Sequence, residues 1–217
     1  VIPAPSPVVT EFVQKLRASR LLGILRGCPD GSLESVARAA RASGLRFLEV
    51  AMNSTDATGQ IRRLREALDG ICEIGAGTVL SEVHAAEAAQ AGATFLVSPC
   101  LVPDVQAWAD EHDIPALPGA LTPTEIRNAW GAGAAVVKVF PARSVGGPSY
   151  FRELRGPFQD APLLACGGGS AANAREYVEA GADALAFGGS VFTTRRLAEK
   201  DASGMGMAIS ELMAAAG

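Results

Sequence analysis

Lysine is scarce in this chain: three lysines stand against sixteen arginines in 217 residues, so each lysine can be weighed separately. Cysteine is sparse as well. Cys28, Cys72, Cys100 and Cys166 are widely spaced, with no CxxC pair and no histidine at metal-ligand spacing. In a chain of this length with 48% hydrophobic residues they read as reduced thiols of a cytoplasmic protein, not as a disulfide framework or a metal site. Histidine is limited to His84 and His112, one in a predicted helix and one at a helix end, and neither is expected to be a ligand or a base. No apolar run approaches the ~18 residues that span a bilayer. The net charge is -4 with acids dispersed among the arginines, which argues against nucleic acid or an anionic membrane as a partner. The one cationic cluster, Arg62-Arg63-Arg65, shares its predicted helix with Glu66 and Asp69 and reads as a solvated face.

What is present is organised around Ala134-Ala135-Val136-Val137-Lys138-Val139-Phe140-Pro141, a β-branched run closed by proline that reads as a buried strand. A lysine in its middle is out of place, because an unpaired ammonium group is costly to bury. Either Lys138 pairs with a carboxylate inside the fold or snorkels to a strand end, or its free amine attacks a carbonyl to form a Schiff base. Lys15 and Lys200 lie in polar, helix-like surroundings and invite no such reading.

The rest of the chain repeats one unit. After a loose terminus expected over residues 1–9, an opening helix is predicted from Thr10 to Arg20. Strands are then predicted at Leu21–Leu25, Phe47–Val50, Glu73–Gly77, Thr94–Val97, Pro115–Leu117, the lysine run, Pro162–Cys166 and Ala184–Phe187, each followed by a helical stretch. Three units close on nearly the same phrase, Ala91-Gly92-Ala93, Ala132-Gly133-Ala134 and Ala180-Gly181-Ala182, where glycine ends a helix. Eight strand–helix units without a long insertion predict an α/β fold, a (β/α)8 TIM barrel forming a single domain over 1–217 with an extra N-terminal helix. A doubly wound open sheet is the alternative, but Leu25-Arg26-Gly27-Cys28 is not its glycine fingerprint.

Barrel chemistry sits at the carboxyl ends of the strands. Glu49 is a second charge inside an apolar strand, and it reads either as the ion-pair partner of Lys138 or Arg26 or as a general acid/base facing the amine. Gly167-Gly168-Gly169-Ser170 and Gly188-Gly189-Ser190 follow strands seven and eight. Each is expected to lead into a helix, so that exposed amides and helix dipoles form a phosphate cradle.

With these residues in hand the chain resembles the class I 2-keto-3-deoxy-6-phosphogluconate (KDPG) and 4-hydroxy-2-oxoglutarate (KHG) aldolases and their phosphogalactonate (KDPGal) relative. The carriers are Leu48-Glu49-Val50, Ile74-Gly75-Ala76-Gly77-Thr78-Val79-Leu80, Val97-Ser98-Pro99, Pro118-Gly119, Lys138-Val139-Phe140-Pro141-Ala142, Gly156-Pro157-Phe158 and the two glycine loops. The resemblance implies a metal-independent Schiff-base aldolase without a separate cofactor, usually a homotrimer, acting on a small 2-oxo sugar acid phosphate. Lys138 would form the Schiff base and Glu49 shuttle protons. Thr78 would help hold the pyruvyl carboxylate, Pro99 and Phe140 line the pocket, and Gly167, Gly168, Gly189 and Ser190 hold the distal phosphate. Two positions depart from the phosphogluconate pattern. Asn53 stands where an arginine is usual, so Arg26 is expected to supply that cation, as in the phosphogalactonate branch. Cys166 replaces a threonine near the hydroxyl that distinguishes the two sugars, and cysteine is a poor donor. Against this reading stand a phosphate-binding barrel epimerase or synthase and a barrel that binds a sugar phosphate without turnover.

Overall fold

The structure, a computed structural model, describes residues 4–217. Residues 1–3 of the segment expected to be loose lie outside the described residues, and much of the remainder is helical, because the opening helix runs Pro7–Ser19 and not from Thr10. Pro7 occupies the first turn, where a missing N–H is harmless, and the Val9 N–H donates to the Ser6 hydroxyl at 3.2 Å. The helix stops at Arg20, whose φ of 57° is left-handed. It buries Phe12 and Leu16, worth roughly 1.5–3 kcal/mol apiece.

The strands are β1 (Leu21–Leu25), β2 (Phe47–Ala51), β3 (Glu73–Gly77), β4 (Leu96–Val97), β5 (Ala116–Leu117), β6 (Gly119–Ala120), β7 (Val137–Val139), β8 (Leu163–Ala165) and β9 (Ala184–Phe187). They pair in the order β5-β4-β3-β2-β1-β9-β8-β7-β6, every pair parallel. The two ends of that order are consecutive pieces of one strand, interrupted at Pro118. Proline has no N–H for the ladder, yet its carbonyl accepts the Lys138 N–H at 2.9 Å, while the Leu117 carbonyl accepts the Ser98 N–H at 3.2 Å. The nine segments therefore form the eight strands of a nearly closed barrel. The fifth strand is longer than the expected Pro115–Leu117, because Pro118 interrupts the ladder without turning the chain and the strand resumes at Gly119–Ala120.

Helices at Leu33–Ser43, Ala57–Ala67, Glu82–Gln90, Pro103–Glu111, Pro123–Gly131 and Pro148–Arg155 cover the outside, and Ala202–Ala216 packs against the first of them. The repeated glycines stop helices as expected, with φ of 99° at Gly92 and Gly133 and 97° at Gly181. The last two βα helices, Ala174–Glu179 and Thr194–Ala198, are shorter than the stretches that the sequence pattern predicts there, Ala171 to Ala180 and Val191 to Lys200. Asn173 explains the first: its side chain accepts the Ser170 N–H and donates to the Gly168 carbonyl, both at 2.9 Å, holding residues 170–173 in a turn. Among the described residues no helix is long and apolar enough to cross a membrane.

Two apolar layers result. One lies between the strands and the surrounding helices, and includes Val36, Leu48, Ile61, Ile74, Phe151 and Ile209. The other fills the barrel with Leu22, Phe47, Phe95, Val97, Leu117, Val136, Leu164, Ala184 and Ala186. Phe12 plugs its amino end, 5.3 Å from both Phe47 and Phe95 between ring centroids.

Candidate active site

Alternation along a strand carries this inner layer directly into the site. Two residues beyond inward-facing Phe47 stands Glu49; two beyond Val136 stands Lys138; two beyond Leu164 stands Cys166. The same step from Ile24, which packs on the inner cluster, reaches Arg26 at the mouth. A two-residue period thus turns an apolar layer into a ring of functional groups at the carboxyl end.

Lys138 is 7% exposed and Glu49 1% exposed. Among the described residues Lys138 lies within ion-pair distance of no carboxylate. Its ammonium nitrogen sits 5.2 Å from the centroid of the Phe140 ring, at the end of β7. Glu49 Oε2 is buried without a hydrogen-bond partner. Burial holds the Glu49 carboxyl above the usual carboxylate range, and the charges of Lys138 and Arg26 only partly oppose it. Among the described residues the structural ion pair is therefore absent, and what stands in its place is a buried amine and a buried acid whose hold on its proton is strengthened. Gly77, which sequence reasoning passed over, makes room for that acid: a Cβ there would run into the Glu49 carboxyl group. The Gly75-Ala76-Gly77 string was the available signal.

Arg26 is exposed, but its guanidinium is fixed. One arm donates to Asn53 Oδ1 at 2.7 Å and the other to Thr78 Oγ1 at 3.0 Å. The Ser54 hydroxyl accepts the Gly27 N–H at 2.9 Å, tying the same two loops. Thr78 holds a φ of 56°, a strained value for a β-branched residue. The charges of Lys138, Glu49 and Arg26 all reach Cys166, whose thiol burial pushes up to about 11. These groups share one mouth. Pro99 ends β4 on the same rim, half-buried, its carbonyl beside Gly119.

Gly167, Gly168, Gly189 and Ser190 form a second group. The Ser190 hydroxyl donates to the Gly169 carbonyl at 2.8 Å and clasps the two glycine loops together. Among the described residues the amides of Gly168, Gly189 and Ser190 donate to no acceptor in the chain. The helix dipoles expected behind them are not delivered, since a turn separates each loop from a helix of only six or five residues. His84 lies in Glu82–Gln90, and His112 stacks on Trp108 at 3.9 Å beyond Pro103–Glu111. A concavity of about 840 Å³ opens at the amino end of the barrel, among Lys15, Arg46, Phe47 and Glu73. It contains none of the converging groups, and buried charge rather than volume locates the chemistry.

A parallel barrel with an unpaired lysine and a buried acid in its carboxyl-end mouth defines the class of barrel lyases that work through an amine. A family model described as KDPG and KHG aldolase matches residues 12–206. A 2-dehydro-3-deoxy-phosphogluconate aldolase of Pseudomonas aeruginosa is 34% identical over 162 residues, 75% of this chain and 73% of the relative. A probable 2-dehydro-3-deoxy-6-phosphogalactonate aldolase of Rhizobium meliloti is 35% identical over 173 residues, 79% of this chain and 81% of the relative. Among solved structures, KDPG aldolase from Legionella pneumophila, with pyruvate captured as a covalent carbinolamine, superposes with a TM-score of 0.85. The superposition covers 95% of this chain and 98% of that one at 22% identity, and it establishes the fold. The chain belongs to the KDPG and KHG aldolase family and is a class I aldolase, a lyase.

Proposed function

We propose that this aldolase reversibly cleaves a 2-keto-3-deoxy-6-phospho sugar acid to pyruvate and glyceraldehyde 3-phosphate, with Lys138 and Glu49 as its catalytic pair. The Lys138 amine adds to the C2 carbonyl through its nitrogen lone pair, and Glu49 supplies the proton with which water leaves. The iminium draws electrons from the C3–C4 bond. That bond breaks as the C4 hydroxyl gives its proton to Glu49, and the pair remains on C3 as an enamine. The aldehyde departs, C3 takes the proton back from Glu49, and water hydrolyses the iminium, the proton it releases returning to Glu49 as pyruvate and the free amine separate. No oxidant or metal enters this balance, and no separate cofactor is called for.

In this reading Arg26, positioned by Asn53 and assisted by Thr78, holds the substrate carboxylate, while Pro99 and Phe140 wall the pocket. The amides of Gly167, Gly168 and Gly189, with Ser190, receive the distal phosphate. The observation that carries the proposal is the buried lysine without a carboxylate partner among the described residues, set in one mouth with a buried acid whose carboxyl is held by burial above the usual carboxylate range. The likeness of Arg26-Gly27 and Asn53-Ser54 to the phosphogalactonate branch supports that sugar as the alternative substrate, while Gly146-Gly147 and Gly156-Pro157-Phe158 lean toward the phosphogluconate branch. A homotrimer accompanies the proposal, for which exposed Leu80 and Val83 beside the mouth offer an apolar contact. Pyruvate release from synthetic KDPG and KDPGal, followed with a coupled dehydrogenase, tests the assignment. Release from at least one supports it, and release from neither, in folded protein, refutes it.

A further inference from the structure

The proposed phosphate cradle contains amides and a hydroxyl but no formal charge, and the helices behind it are too short to add a useful dipole. A phosphate monoester dianion entering such a cradle leaves its hydration shell without a counter-charge. An uncommitted cation that packs on this loop is Arg143, in the 3-10 turn Ala142–Val145 directly after β7 and five positions beyond Lys138. Its backbone N–H donates to the Gly167 carbonyl at 3.3 Å. Its aliphatic stem lies along Gly168, where an added Cβ would fall 2.7 Å from its Cδ and 3.1 Å from its Cβ. Glycine at 168 is thus required for this side chain to lie there. Its charge is also felt by the Tyr177 phenol, on the helix behind the same loop.

Neighbouring arginines have fixed employment. Arg155 pairs with Asp183 at 2.8 Å, Arg196 donates to the Ser190 and Val191 carbonyls, and Arg26 is held by Asn53 and Thr78. The Arg143 guanidinium, by contrast, is exposed and has no carboxylate and no hydrogen-bond acceptor among the described residues. Read from sequence alone, an arginine in an exposed turn resembles any other solvated charge.

We infer that Arg143 binds the distal phosphate of the substrate, so that a 2-oxo acid with an anionic group at each end is gripped by two cations, Arg26 at the carboxylate and Arg143 at the phosphate. The inference rests on the aldolase reading above and deepens it: Arg143 makes the enzyme selective for phosphorylated sugar acids over their unphosphorylated counterparts. Charge-assisted bonds to phosphate are the strong ones, and this one acts at the end of the substrate that does not react.

The test compares cleavage of a 2-keto-3-deoxy-6-phospho sugar acid with that of the same acid lacking phosphate, in wild type, R143Q and R143K. R143Q keeps the stem against Gly168 and removes only the charge. It is expected to lower kcat/KM for the phosphorylated acid about 10–100-fold, mainly through KM, and to leave the unphosphorylated acid unchanged. R143K is expected to recover part of the loss. Equal losses on both acids, or no loss on the phosphorylated one, would overturn the inference. Borohydride trapping of pyruvate alone is read in parallel. Wild type that traps pyruvate yet shows no preference for phosphate defeats the role of Arg143 and leaves the aldolase reading standing. Wild type that traps none defeats both.

Discussion

Arg26 donates to the side-chain oxygen of Asn53 at 2.7 Å, joining the loop after β1 to the loop after β2. Its second arm bonds Thr78, also through a neutral oxygen, so the guanidinium is oriented without being neutralised. An oriented cation with its charge unspent, at the rim above Lys138, suits a carboxylate that must arrive in one direction.

Arg26→Ala is therefore expected to raise KM for pyruvate and for the 2-oxo sugar acid about 10–100-fold, with a smaller change in kcat. Asn53→Ala should raise KM less, since it only frees the guanidinium to move. The double variant should resemble Arg26→Ala, because Asn53 acts through Arg26. Steady-state kinetics of the three variants decide this, and additive losses would mean that Asn53 meets the substrate by itself.

Glu49 links chemistry to stability. Burial raises its carboxyl above the ordinary range, against the opposing charges of Lys138 and Arg26, so the folded chain keeps a proton that the unfolded chain releases. Stability must then fall as pH rises from the ordinary glutamate value of about 4.3 through the raised one, and the deficit is complete above it. Glu49→Gln removes that linkage. Thermal melts should show the variant gaining on wild type as pH rises from about 4 to 8, while kcat falls by roughly 10²–10⁴-fold through loss of the proton shuttle. A stability difference that does not change with pH would remove Glu49 as a proton-retaining group.

How much of this was readable beforehand depended on the kind of signal. Lys138 and Glu49 stood out because a charge inside an apolar strand violates the burial rule, and a two-residue period carries both to the same mouth. The Gly92, Gly133 and Gly181 phrases were legible because a left-handed helix stop needs glycine. Pro118 misled because a strand was taken to end where its ladder lost one donor. The turn built by Asn173 was equally hidden, since its bonds to Ser170 and Gly168 are side-chain geometry that no periodicity records. The Arg26–Asn53–Thr78 cluster follows the neighbouring strands β1, β2 and β3, and the bonds that fix the guanidinium are side-chain geometry that no periodicity records.

We propose that Cys166, a poor donor beside the hydroxyl that distinguishes the two sugars, leaves them weakly discriminated. Burial pushes its thiol up to about 11, so near neutral pH it is an un-ionised thiol and a weak donor. Wild type is expected to discriminate between the gluconate and galactonate sugars by less than about tenfold, and Cys166→Thr to favour the gluconate sugar about tenfold more. Ratios of kcat/KM for the two sugars check this, and an unchanged ratio would place the discrimination elsewhere.

The central claim is that Lys138 forms a Schiff base with pyruvate. The most direct measurement is reduction with borohydride in the presence of pyruvate, read by intact mass and peptide mapping. With only Lys15, Lys138 and Lys200 in the chain, the assignment is unambiguous. The account predicts one reduced pyruvate adduct on the peptide containing Lys138 and none in Lys138→Met. An adduct on Lys15 or Lys200, or no adduct in folded protein, would contradict it.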